Sequence, residues 1–81
     1  MLVLQQIDVL PAGSDFRIED GNKVELEGFI SSDDHSIGFL TAYESDMYYN
    51  IYSTFRVMEL EAIPDIIVNN KQVVIYVIKV R

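Results

Sequence analysis

Gln72-Val73-Val74-Ile75-Tyr76-Val77-Ile78-Lys79-Val80 is apolar on both faces when drawn as an extended strand. Successive side chains alternate across a strand. Val73, Ile75 and Val77 therefore share one side, and Val74, Tyr76, Ile78 and Val80 the other. A small sheet rarely covers both sides of its last strand, and an unpaired apolar edge invites aggregation. This pattern predicts pairing with a neighbouring copy of the chain. Its contact would run through Ile66, Val68, Val73, Val74, Ile75, Tyr76, Val77 and Ile78.

Moving towards the N-terminus, Asn69-Asn70 is a good two-residue turn, since Asn tolerates positive φ. Val57–Ile63 alternates, with Glu59 and Glu61 outward, and Pro64 predicts a bend or an edge. Met47–Phe55 is rich in tyrosine and lacks alanine, so it reads as a strand, with a helix as the competing choice. Residues 35–43 read as the return strand of a hairpin begun at 23–30, across the polar turn Ser31–Asp34. Gly38 inside that strand signals a bulge, a bend or a close approach of backbone. Residues 1–22 are ambiguous: Leu2–Leu10 fits a strand or a short helix, and Pro11–Asp15 breaks it.

Val, Ile, Thr, Tyr and Phe make up 30 of the 81 residues and Ala only 3, a balance that favours strands. Five or so short strands joined by tight turns imply one mainly β domain over residues 1–81, a small antiparallel barrel.

The formal charge is −7, from 13 acids and 6 bases. Nonspecific duplex binders are normally basic, so the composition argues against that class. The C-terminal third is the least acidic part, with four bases against three acids in residues 52–81. There is no cysteine and a single histidine, so no disulfide, no thiolate metal site and no multi-histidine site is expected within one chain. Neither a signal peptide nor a bilayer-spanning segment is evident, and a cytoplasmic protein that does not enter membranes is expected.

Little in the chain points to catalysis. His35-Ser36 lies in a turn beside Asp33 and Asp34, where a solvated role is the ordinary one. Glu25/Glu27 and Glu59/Glu61 read as polar strand faces. No catalytic residue, cofactor or metal is expected, and the chain does not read as an enzyme. Tyr43, Tyr48, Tyr49 and Tyr52 cluster within ten residues. Such a cluster serves either as a core or as a platform on which bases stack, and Tyr48 is left open between the two.

The stretch Gly38-Phe39-Leu40-Thr41-Ala42-Tyr43-Glu44-Ser45-Asp46-Met47 resembles the first motif of the Sm-like family (Sm, LSm and Hfq proteins). Gly38, Leu40, Tyr43, Glu44 and Met47 fall at matching spacing. Val68-Asn69-Asn70-Lys71-Gln72-Val73-Val74-Ile75 is similar to a degenerate second motif. The resemblance implies a five-stranded, strongly bent antiparallel SH3-like barrel, assembled edge to edge into a ring of roughly five to seven subunits. It also implies single-stranded RNA as a ligand. The contacts carried over are Asp46, Tyr48, Asn69 and Asn70, with Glu44 bracing the loop. Asp46 cannot stack, and Asn69 stands where the family has an arginine. The usual uridine-specific contacts are therefore not expected. Two other readings compete: an acidic protein-interaction module without RNA affinity, and an acidic mimic of nucleic acid.

Overall fold

A computed structural model describes all 81 residues. The chain forms helix α1 (Val3–Asp8) and strands β1 (Asp15–Asp20), β2 (Lys23–Ile30) and β3 (Ile37–Phe39). Helix α2 (Ala42–Met47) follows and runs into a π-helical turn, Tyr48–Tyr52. Strands β4 (Val57–Val68) and β5 (Lys71–Val80) complete the fold. The five strands make one sheet in the order β3-β2-β1-β5-β4.

The chain is mainly β, as its composition predicts, but the sheet is mixed rather than all antiparallel. β1 and β5 run parallel, with Asp15 opposite Ile75 and Asp20 opposite Val80. Parallel neighbours need a crossover connection. Here two hairpins, β1–β2 and β4–β5, are joined through β3 and the helical segment, which bring the second hairpin alongside the first. The sheet does not close on itself, and its edges are β3 and β4.

The helical segment replaces the strand expected at Met47–Phe55. Thr41 caps α2: its Oγ1 accepts the Glu44 N–H at 3.1 Å and donates to Glu44 Oε2 at 3.4 Å. The Thr41 hydroxyl thus caps the first turn, with the Glu44 carboxylate as its side-chain partner. Beyond it, the Ser53 N–H donates to the Tyr48 carbonyl at 2.7 Å, a five-residue step that widens the last turn. Tyr48, Tyr52 and Phe55 then lie at helical spacing on one face, and the first two are buried. Tyr49, Asn50 and Ile51 are exposed.

The core lies between the helical segments and one face of the sheet. Phe16 and Ile18 of β1, Leu26 and Ile30 of β2 and Ile78 and Val80 of β5 meet Val3, Ile7, Leu10, Tyr48 and Tyr52 there. The N-terminus is tied to the start of β4 by Val3 N–H to the Phe55 carbonyl and Val57 N–H to the Met1 carbonyl, both 2.8 Å. Within Leu2–Leu10 the helix covers Val3–Asp8, with Val3 and Ile7 on its buried face and buried Leu10 following just past its end.

Two further expectations change. The return strand at 35–43 shrinks to Ile37–Phe39, after which Thr41 starts the helix. Pro64 does not end its strand: β4 continues to Val68, with the register shifting between Pro64 and Ile67. A bulge there absorbs the missing donor. The Asn69-Asn70 turn forms as read, with φ of +51° and +64°.

Candidate functional site

β5 is not an edge strand. It pairs with β1 on one side and β4 on the other. Its two apolar faces therefore have a cause within the chain. Ile78 and Val80 enter the core, and Val77 is buried on the opposite face of the sheet, apart from the core cluster. Val73, Val74, Ile75 and Tyr76 are half-buried.

The long free edge is β4. Of its twelve residues only Val57 is partly buried, and the rest are exposed. β1 begins opposite Ile75, so the hairpin beyond that point has no third strand beside it. Pro64–Val74 thus forms a two-stranded arm. The arm overhangs the sheet by four residues of β5, Lys71–Val74, about 13 Å at a strand rise of 3.3 Å per residue. Ile66 and Ile67 on the arm are 61% and 69% exposed. Gln72 braces the bulge: its side-chain amide donates to the Asp65 carbonyl at 2.9 Å and the Ile66 carbonyl at 3.3 Å.

The face of the sheet away from the helices carries acids around two cations. Arg17 lies 3.5 Å from Glu19 and 3.4 Å from Glu27. Lys79 lies 4.0 Å from both Glu59 and Glu61. Such partly exposed pairs add little stability, but they fix where the free charge remains. Asp15 has no cation partner, and its carboxyl is pushed up by burial, by Asp65 and by Glu27. A shallow concavity of about 140 Å³ lies beside it, walled by Arg17, Phe29, Leu40 and Ile75.

The residues carried over from the resemblance do not share one surface. Glu44 and Asp46 sit on α2, which packs against β3 at one edge of the sheet. Asn69 and Asn70 sit at the β4–β5 tip, at the other edge. Tyr48 is fully buried, packed on Phe39 and Tyr49 with ring centroids 5.2 and 5.0 Å away. Its hydroxyl has no hydrogen-bond partner, and burial, then Tyr49 and Asp8, push its ionisation well above the usual tyrosine range. Glu44 does brace its neighbourhood, as the partner of the Thr41 cap.

The His35 ring nitrogen Nε2 lies 2.7 Å from the Leu10 carbonyl, and the Ser36 hydroxyl donates to Asp34 Oδ1 at 2.6 Å. The two side chains thus serve separate turn contacts. Asp34 gains from those bonds: its carboxyl is held below the usual range, chiefly by the Ser36 hydroxyl.

No known protein family, curated protein or solved structure matches the chain. The functional reading rests on its own geometry. No helix is long and apolar enough to cross a membrane.

The β4 edge was hidden in the sequence by the terminal strand. Gln72–Val80 is the more apolar strand, whereas exposed Met58, Leu60 and Ile67 stand beside or near the acids Glu59, Glu61 and Asp65. The signal available was Pro64, since proline in a strand marks an edge.

Proposed function

We propose that the chain is an acidic protein-interaction module whose contact surface is the free β4 edge and its overhanging arm. One observation carries this reading: beyond Val57, whose N–H is taken by the Met1 carbonyl, the eleven residues Met58–Val68 have no strand along their outer side and end in exposed Ile66, Ile67 and Val68. Free strand edges are templates for another chain. Exposed apolar side chains on a rigid hairpin add the burial that main-chain pairing alone lacks.

The RNA-binding ring implied by the Sm-like resemblance has less support. Tyr48 is in the core, where no base can stack on it. The cations do not converge either. Lys71 is at the arm tip, whereas Arg56 and Arg81 flank the paired Val57 and Val80 at the far end of the hairpin. Lys79 is already between two glutamates. A ring would also have to join β4 of one copy to β3 of the next, and β3 has only three residues.

Titration with single-stranded RNA, alongside exchange measurements on β4, tests the choice. The module reading expects no RNA affinity above that of a control acidic protein. It also expects substitutions on the arm to alter association while leaving the fold intact. Salt-sensitive RNA binding that Asn69→Ala abolishes would overturn it.

A further inference from the structure

Resting on the interaction-module reading, we infer that the occupant of the β4 arm is a second copy of this chain, docked arm to arm as a two-fold dimer. Charge is the first ground. The chain carries −7, yet residues 64–74 contain one acid, Asp65, and one base, Lys71. The arm is neutral and the remaining body carries all of the net charge. A basic partner would be drawn to the body. Two acidic copies can meet only where their charge vanishes.

Position is the second ground. β4 is the outermost strand, and on its β5 side the arm faces the Pro11–Ser14 loop and Ser32 across shallow concavities, so its open side is the β4 edge. The third ground is the division of labour along β4. Its basal half carries Glu59 and Glu61 and ends at Pro64, charges and a missing donor that blunt an edge. The distal half, with Ile66, Ile67 and Val68, carries no such protection beyond Asp65.

Symmetry sets the number of copies. An isologous contact uses the same patch twice and closes at two. The alternative, β4 against β3 of the next copy, offers three residues to twelve. An arm of eleven residues a side is smaller than the roughly 20–30 residues of a standard interface, so the dimer is expected to be a reversible, micromolar one.

The test is native mass by light scattering over about 1 µM to about 1 mM, with amide exchange of residues 63–68 at both ends of the range. The expected result is a doubling of mass accompanied by slower exchange in the arm. Ile67→Lys is expected to weaken the dimer by at least about tenfold, and Ile67 is exposed, so the fold survives the change. Lys71→Glu, which leaves the apolar surface intact, should weaken it less, with partial recovery in high salt. A monomer at all concentrations, with a fast-exchanging arm, would overturn the second copy as occupant while leaving the arm open to a different protein. A dimer unaffected by Ile67→Lys and by exchange in the arm would overturn both the inference and the arm as the working surface.

Discussion

The ring of Phe29 on β2 lies directly over Gly38 on β3, its partner in the sheet, where any side chain would collide with it. One residue along, Gly28 is covered on the opposite face by the ring of Phe16. Two aromatic–glycine pairs thus hold β2 from both sides.

The two glycines differ in what can yield. A Cβ at Gly38 meets only the far end of Phe29, a half-exposed ring that can swing away. A Cβ at Gly28 meets buried Phe16 and lies 2.6 Å from the Gly38 carbonyl oxygen, which is backbone. Gly28→Ala should therefore cost about 3 kcal/mol and Gly38→Ala about 1 kcal/mol. Denaturant midpoints of the two variants check the order.

Tyr48 gives a second contrast. Its ring fills the core, and its hydroxyl is buried without a partner. Tyr48→Ala should destabilise by about 3–5 kcal/mol. Tyr48→Phe removes an unsatisfied polar group, so stability should hold or rise by up to about 1 kcal/mol. Thermal unfolding of both variants distinguishes this core role from one in base stacking, which would leave stability unchanged on truncation.

The strands β2, β4 and β5 and the Asn69-Asn70 turn were legible because each depends on a local pattern. Lys23–Ile30 alternates, and Asn accepts the positive φ that the turn requires. Gly38 was legible as a special position, read as a bulge, a bend or a close approach of backbone, and what fills its space is the Phe29 ring. β1 was missed, although Phe16 and Ile18 alternate with Arg17 and Glu19 ahead of Gly21-Asn22, a hairpin signal. The helix at Ala42–Met47 was missed because the three tyrosines after it, Tyr48, Tyr49 and Tyr52, and the lack of alanine in Met47–Phe55 outweighed the Thr41–Glu44 cap. The parallel pairing of β1 with β5 was not legible at all. It depends on a crossover, and without the helix no crossover is predicted. From that one misreading followed the antiparallel barrel and the placing of β5 at an edge.

Alkaline pH should expose the bond between the Tyr52 hydroxyl and Glu25 Oε2, 2.5 Å long. That bond, followed by burial, pushes the Tyr52 ionisation up to about 12. The folded chain holds the proton more tightly than the unfolded one. Its contribution is complete below pH ~10 and is lost as pH rises towards the folded value. Stability should fall by on the order of 2 kcal/mol across that window, and Tyr52→Phe should flatten this part of the profile. Urea midpoints from pH 8 to 12 measure it.

The tip of the arm can be tuned without touching its apolar surface. Asn69 and Asn70 both have positive φ, and Asn-Gly is the favoured pair for such a turn. Asn70→Gly should stabilise by a few tenths of a kcal/mol, whereas Asn70→Val should cost about 1–2 kcal/mol. Chemical denaturation in dilute solution, where the arm is unoccupied, checks both signs.

Residue-resolved amide exchange on dilute protein tests the central claim most directly, namely that β4 is a free edge and β5 an interior strand. The account predicts slow exchange along the part of β5 paired on both sides, Ile75–Val80, and fast exchange at the outward-facing amides of Met58–Val68. Uniform protection of β4 at dilution, with a native mass of several subunits, would contradict it and return the closed ring to first place.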